Sequence, residues 1–205
     1  MKKLIIIYIS FLLTPTVSFA EVTAPFGLEW GLSKRSITQR GVRLNSCENI
    51  AVGLEQCEAS NLPKSVSFGE TYRLIIDSER GLQKTQLFGE DIINDSYGTK
   101  GKRLYQQLKD SITAKYASSE YEHNSYEWSG RELYDESNEF YQCLNYDTSC
   151  GVWTTFVMGE GAVTIELKGL SKGKGWILLT HESRDWSDIY DNANSRKNES
   201  DFDAL

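Results

Sequence analysis

The sequence predicts an α+β fold, with helices packed on one face of an antiparallel sheet. Apolar residues alternate with a period near two in segments 66–76 and 82–89, and again from residue 151 onward. Short turns join these segments, namely DSERG at residues 77–81 and GEG at residues 159–161. One clear helical segment lies between the two groups of strands. Since hairpin-joined strands pair antiparallel, the pattern does not fit a parallel βαβ array.

Residues 1–20 have the layout of a secretory signal peptide. Two lysines follow the initiator Met, an apolar run covers residues 4–13, and small residues lead to Ala20. The apolar run is about half of the roughly 20 residues that a spanning helix needs. We therefore expect cleavage after Ala20, a periplasmic location and a single domain over residues 21–190.

The exported chain opens with an extended lead and a short helix at residues 34–40. Ser33 is suited to be its N-cap because a serine hydroxyl accepts an orphan backbone N–H. Gly41 is suited to end it. Residues 47–63 are polar, and we expect an irregular loop there.

Four cysteines lie in two close pairs, Cys47 with Cys57 and Cys143 with Cys150. An exported chain enters an oxidising compartment, where disulfides form. Four cysteines allow three connectivities, and locality favours the two close pairs. Neither pair has the Cys-x-x-Cys spacing typical of zinc sites, and the chain has only 2 histidines. No metal and no cofactor are predicted.

Residues 98–119 form the clearest helix, with apolar residues at three- and four-residue steps and Thr99 as its expected cap. Residues 117–150 are polar and rich in tyrosine, with a strand around residues 126–133. Residues 191–205 are acidic and apolar-poor, which predicts a flexible tail. The residues expected to line a buried sheet face in the last strands are Trp153, Phe156, Val163, Ile165, Leu167, Trp176 and Leu178.

The charge balance limits the classes of partner. The net charge is −7 at pH 7, and loss of the two signal lysines takes it to −9. An acidic chain repels nucleic acid and anionic lipid through its long-range field. We expect no nucleic-acid partner and no direct membrane span. If charge steers association, the partner is a basic protein; otherwise the charge serves solubility.

Aromatic residues interleaved with acids are concentrated in residues 116–153. Tyrosine and tryptophan are favoured at protein interfaces, and a disulfide at the end of this segment would reduce the ordering cost of binding. The alternative is that these aromatics pack a tyrosine-rich sheet. The predicted contact residues for a protein partner are Tyr126, Trp128, Tyr134, Tyr141, Tyr146 and Trp153.

No catalytic residues are assigned from the sequence. Acidic residues occur in pairs such as Asp91 and Asp95 or Glu132 and Asp135, and a hydrolase acting on cell-wall polymers would need two of them in one cleft. His181 ends a predicted strand, which favours a place at the sheet rim over a general-base role. A carrier of small ligands is a further alternative and predicts an apolar cavity between sheet and helices.

The stretch FGLEWGLSKRSI, residues 26–37, resembles the opening of small bacterial periplasmic proteins that begin with a Phe-Gly-x-x-Trp-Gly-Met-Ser-x-x-Glu-Val pattern. Phe26, Gly27, Trp30, Gly31 and Ser33 match that pattern. The sequence departs from it where leucine replaces the methionine and where Arg-Ser-Ile follows. The layout is similar to the fold of β-lactamase inhibitor proteins and small outer-membrane assembly lipoproteins. The resemblance implies a binding or inhibitory role and no catalytic residues.

Overall fold

The computed structural model describes residues 21–130 and 133–203, so the predicted signal peptide lies outside the described residues. The fold class is confirmed as α+β with an antiparallel sheet. Within the described ranges a short 3₁₀ turn, Ser137–Glu139, precedes the third helix. The elements in chain order are α1 (Lys34–Gln39), β1 (Arg43–Ala51), β2 (Leu54–Ser60), β3 (Gly69–Asp77), β4 (Gly81–Gly89), α2 (Thr99–Lys115), β5 (Glu122–Ser129), α3 (Phe140–Tyr146), β6 (Gly151–Gly159), β7 (Gly161–Ser171), β8 (Lys174–Glu182) and α4 (Trp186–Asp203).

The eight strands form one sheet in the order β1-β2-β3-β4-β8-β7-β6-β5. Strands β1 to β4 make one meander, and strands β5 to β8 make a second. In each half a helix precedes the first strand, α1 before β1 and α2 before β5. The last strands of the two meanders, β4 and β8, pair antiparallel and join the halves. We call this β4–β8 pairing the seam.

The predicted hairpin between β3 and β4 is confirmed. Asp77 Oδ1 accepts hydrogen bonds from the backbone N–H of Glu79 at 3.0 Å and of Arg80 at 2.7 Å, which closes the turn locally. Gly81 follows at φ +73°, and a Cβ there would overlap the carbonyl of Gly31. Only glycine therefore fits this position.

The main core lies on the side of the sheet that α1, α2 and α3 cover. Along β7 and β8 every second residue is buried, as the alternation of a half-buried strand requires. Helix α2 contributes Tyr105 and Ile112 to this core, and α3 contributes Phe140 and Tyr141. The core residues of the sheet itself include Leu74, Leu87, Val157, Val163, Ile165, Leu167, Ile177 and Leu179.

Helix α1 begins and ends as the sequence predicts to within one residue. Ser33 is its N-cap, and the Ser33 hydroxyl accepts the backbone N–H of Ser36 at 3.2 Å. The helix buries Ile37 and ends before Gly41, which has φ +87°. Packing of this single apolar residue holds a helix too short to be stable alone.

The start of α2 differs from the prediction. Thr99 is the first helical residue, and Gly98 occupies the N-cap without a side-chain hydrogen bond. The capping acceptor is Asp95, whose Oδ2 receives the backbone N–H groups of Lys100 at 2.9 Å and Gly101 at 3.1 Å. A carboxylate serves well here because it satisfies orphan donors and complements the helix dipole.

Tyr141 locks α3 to α2 and the sheet. Its hydroxyl donates to Asp95 Oδ2 at 2.9 Å, so one carboxylate caps α2 and holds α3. Its side chain is fully buried. A Cβ at Gly101 would overlap the Tyr141 hydroxyl, and a Cβ at Gly175 would overlap its ring. A Cβ at Gly169 would overlap the backbone carbonyl of Tyr141. The glycines therefore form the slot that this tyrosine fills.

Two segments predicted to be irregular are regular in the structure. Residues 47–63 contain most of the hairpin of β1 and β2, because β2 pairs along its length with β3. Residues 191–203 belong to α4, which is anchored by Trp186, Ile189 and Ala193. These three pack against Leu54 and Ile75 in a smaller cluster. Ile75 alternates with the core residue Leu74, so α4 lies on the opposite side of the sheet.

The tyrosine-rich segment also differs from expectation. Its strand is Glu122–Ser129, earlier than the predicted 126–133, and it contains α3, which was not predicted.

Both predicted disulfides are confirmed. Cys47 is bonded to Cys57, and Cys143 is bonded to Cys150. Among the helices of the described residues, none is long and apolar enough to cross a membrane.

We expect Gly175→Ala to lower the free energy of unfolding by about 1–3 kcal/mol, the usual cost of overpacking a core, because the new methyl would press on the Tyr141 ring. The matched control is Gly89→Ala, whose Cβ would meet no atom closer than 3.3 Å. Urea denaturation of the two variants measures the difference. Equal losses would contradict the packing of Tyr141 against Gly175.

Candidate functional site

The two sides of the seam differ in how they are covered. On the helix side, Thr85 and Leu87 of β4 and Leu179 of β8 are buried. On the other side, Lys84, Gln86 and Phe88 of β4 remain partly exposed. Trp176, Leu178 and Glu182 of β8 are also partly exposed there, whereas Thr180 is buried. Helix α4 covers part of this side, where it packs on Leu54 and Ile75 and where the Trp186 ring lies 4.7 Å from Lys84 Nζ on β4. We define the open face as this partly exposed side, with Arg73, Phe88, Tyr126, Phe156, Trp176 and Leu178.

A stack of three side chains crosses the seam on the open face. The rings of Trp176 on β8 and Phe88 on β4 are stacked, with centroids 5.4 Å apart and an interplanar angle of 19°. The guanidinium carbon of Arg73 on β3 lies 4.5 Å from the Phe88 centroid. A cation–π contact of this kind contributes about 0.5–1 kcal/mol at an exposed site. The stack therefore holds an arginine in a fixed position.

Arg73 has unused hydrogen-bonding capacity. Its Nε is buried without a hydrogen-bond partner among the described residues. Its cross-strand neighbour on β2 is Glu58, yet the ion pairs formed within residues 21–130 and 133–203 do not include Arg73. A guanidinium presents five donors in a planar fork that matches a carboxylate. Arg73 is therefore suited to receive an acidic group from outside the chain.

The charges around this stack are balanced by internal pairs. Lys84 Nζ lies 2.7 Å from Glu182 Oε1, and Lys168 pairs with Glu166 on the same side of the sheet. Partly exposed pairs of this kind add little stability but neutralise local charge. The excess acid of the chain is consequently not concentrated on the open face.

Four of the predicted contact residues lie at two separate surfaces. Tyr126 is 54% exposed on β5, and its ring lies 6.4 Å from that of Phe156, at the edge of the open face. Trp128, two residues further along β5, lies on the same side of the sheet and is half-buried. Tyr134 and Tyr146 are exposed, with ring centroids 6.0 Å apart beside the Cys143–Cys150 bridge. The segment 116–153 therefore does not form one surface.

Of the predicted contact residues, Tyr141 is buried in the core and cannot contact a partner, whereas Trp153 is partly buried against that core. Tyr141 is 0% exposed, and burial raises the pKa of its hydroxyl above the usual value. Trp153 packs on the helix side, with its ring 5.5 Å from that of Tyr105 and 5.6 Å from that of Phe140. Aromatic density identified the segment but could not separate the two sides of β6.

Sequence reasoning missed Arg73 and Phe88 and placed Phe156, Trp176 and Leu178 on the buried side. The structure buries Ile177 and Leu179 instead, and leaves Trp176 and Leu178 partly exposed. A signal was present, because β8 is apolar at both odd and even positions. A two-sided apolar strand at the centre of a sheet indicates contacts on both sides.

A second candidate site is a cavity of about 700 Å³ on the helix side of the sheet. It lies between the lead at residues 23–28, helix α2 and strand β8. The lead is held in place by the hydrogen bond from Trp30 Nε1 to the carbonyl of Val22. The apolar lining residues are Phe26, Leu28, Val66, Leu108, Ile112 and Leu179.

His181 lines this cavity and is not at the sheet rim as expected. Its side chain is 5% exposed, and its Nδ1 is buried without a hydrogen-bond partner within the described part of the chain. Burial, with a smaller effect of the Lys115 charge, lowers the pKa of His181 from 6.5 to about 3. Such a weak base is neutral at physiological pH and is poorly suited to abstract protons.

Two of the acids named from the sequence, and one cluster of cysteines with a carboxylate, remain to be placed. Asp95 caps α2, and Glu132 lies outside the described residues. The sulfurs of Cys47 and Cys57 lie close to a carboxylate oxygen of Glu55, but the two sulfurs form a disulfide and cannot act as thiolate ligands. Cys47, Glu55 and Cys57 therefore do not form a thiolate metal centre, and Asp95 has a structural role.

No protein-family model, curated protein or solved structure matches this chain. The resemblance of residues 26–37 to small periplasmic proteins stays a prediction. Function is therefore inferred from the chemistry of the open face and of the cavity.

The low pKa of His181 predicts a pH-dependent stability. In the unfolded chain the imidazole takes up a proton near pH 6.5, whereas in the folded chain it does so only near pH 3. The contribution of the neutral His181 ring to the free energy of unfolding is therefore complete above pH 6.5 and is lost as the pH falls toward 3. We expect the unfolding free energy of His181→Leu to fall less than that of the wild type between pH 7 and pH 4.5. Urea denaturation at both pH values tests this, and parallel losses would contradict a buried neutral His181.

Proposed function

We propose that this chain is an exported protein-binding module that acts by covering a surface of another cell-envelope protein. Its role would be that of an inhibitor, an immunity-type partner or an accessory of envelope assembly. The observation that supports the proposal is the stack of Arg73, Phe88 and Trp176 on the open face. Arginine and tryptophan are among the residues that most often dominate binding energy at interfaces.

The dimensions of the open face suit a protein partner. Eight strands at a spacing of about 4.8 Å span about 34 Å, and nine residues at about 3.4 Å each span about 27 Å. The enclosed area is about 900 Å² before subtraction of the part under α4. A standard protein interface buries about 800 Å² on each partner. The whole side of the sheet that includes the open face is therefore comparable in area to one such contact.

The stack is also preorganised for binding. Each of its residues projects from a strand paired on both sides, so the backbone beneath it is fixed before a partner arrives. The rings fix one another by stacking. Little side-chain entropy is then lost on association, which leaves more of the contact energy available for affinity. This distinguishes the open face from the tyrosine pair Tyr134 and Tyr146, which lies beside a loop.

The partner that fits would place an apolar or aromatic side chain against Trp176 and a carboxylate against Arg73. At longer range the net charge of the exported chain favours a basic partner. The mechanism is occlusion, with no chemical step. A periplasmic location follows from the predicted signal peptide and is compatible with the two disulfides.

The test is a pull-down of the tagged exported chain from periplasmic extract under non-reducing conditions, repeated with Trp176→Ala and Arg73→Glu. We expect one stoichiometric partner whose affinity falls about 30-fold or more in each variant, the change that about 2 kcal/mol produces. Circular dichroism checks that both variants remain folded. Both substitutions lie on the partly exposed side of the sheet, so the fold should tolerate them.

The matched control is Tyr146→Ala, an equally aromatic side chain that is 54% exposed on the other surface. Binding should be unchanged in this variant. Loss of the partner in Tyr146→Ala with retention in Trp176→Ala would show that the open face is not the contact surface. Absence of any stoichiometric partner would overturn the protein-binding role and favour a test for hydrolysis of peptidoglycan fragments.

A further inference from the structure

Unsatisfied polar atoms collect around the cavity beside α2. Tyr116 and His181 both line it, and Tyr116 Oη and His181 Nδ1 are both buried without a hydrogen-bond partner among the described residues. Thr85 lies opposite His181 in the register of the seam, and its Oγ1 is likewise unpaired there. An unsatisfied buried polar group costs about 1–3 kcal/mol. Native structures rarely retain such groups together without a partner to bind them.

The charged residues of this cavity are all basic. Lys64 and Lys115 line it, and no described lining residue is acidic. Lys115 Nζ is held by Thr23 Oγ1 at 3.0 Å and lies 4.9 Å from the Tyr116 ring. Its charge is close enough to act on His181. In a chain whose net charge is negative, this is a localised positive region beside two unpaired hydrogen-bonding groups.

The rest of the cavity suits a hydrocarbon. Phe26 comes from the lead, Leu108 and Ile112 come from α2, and Leu179 comes from β8. The volume of about 700 Å³ falls within the range of about 300–1,000 Å³ that is usual for small-molecule sites. Such sites combine apolar walls with a few polar groups that orient the ligand.

We propose that this cavity binds a small amphipathic carboxylate of the fatty-acid type. The carboxylate is neutralised by Lys115 and accepts hydrogen bonds from the Tyr116 hydroxyl and an N–H of the neutral His181 ring. The hydrocarbon body lies along Phe26, Leu108 and Ile112. This site lies on the opposite side of the sheet from the open face and does not depend on the proposed protein partner.

The test is a fluorescence titration of the delipidated exported chain with 11-(dansylamino)undecanoic acid at neutral pH, followed by competition. We expect saturable binding at one site, displaced by dodecanoate about tenfold more effectively than by dodecanol. That ratio corresponds to about 1.4 kcal/mol for the carboxylate. Equal displacement by the acid and the alcohol would overturn the assignment of an anionic ligand.

Four variants locate the site. Ile112→Trp should abolish saturable binding because it fills the cavity, and Lys115→Gln should weaken it about tenfold. Lys109→Gln is the control on the same helix, since its Nζ pairs with Glu127 instead of lining the cavity. Trp176→Ala should also leave binding unchanged, which separates this result from that of the pull-down.

Circular dichroism establishes that each variant is folded before it is titrated. Absence of saturable binding to the wild-type chain would overturn the proposal. So would unchanged binding in a folded Ile112→Trp variant together with unchanged binding in Lys115→Gln. The lysine variant alters a solvent-accessible side chain, so it keeps the test decisive if the tryptophan variant does not fold.

Discussion

Five consecutive residue pairs, from Lys84 opposite Glu182 to Phe88 opposite Leu178, join the last strands of the two meanders. This pairing turns two four-stranded sheets into one and gives each side a continuous surface. Both candidate sites depend on it. On one side, Thr85 and His181 meet beneath the cavity, and on the other, Phe88 stacks on Trp176. Without the seam, β4 and β8 would not lie side by side at either site.

One-sided coverage follows from how the helices are attached. Asp95 receives two backbone N–H groups of α2 and the hydroxyl of Tyr141, so both helices are fixed through one buried carboxylate. The glycine slot then holds α3 against β7 and β8. Because these attachments are all on one side, the opposite side of the central strands is covered only in part, by α4. An antiparallel sheet tolerates this arrangement, since one of its sides can face water.

Local signals made part of this fold predictable. Asp77 and Gly81 specify the β3–β4 turn by themselves. The Ser33 hydroxyl caps α1 by accepting the backbone N–H of Ser36, three residues further along the chain. The β1–β2 hairpin was missed because β1 is mostly exposed and carries no apolar alternation. The position of α4 was missed because it depends on contacts with Leu54 and Ile75, which are distant in sequence.

The candidate sites were harder to predict because they depend on which side of the sheet the helices cover. Period two shows that Trp176 and Ile177 point in opposite directions, but not which of them is buried. The burial of His181 likewise depends on the lead and α2, which pack on it from elsewhere in the chain.

The central claim is that the β4–β8 pairing joins the two meanders into one sheet, and amide hydrogen exchange of the seam tests it most directly. Residues 84–88 and 178–182 should exchange only through global unfolding; faster exchange there than in β3 and β7 would show that the halves open independently.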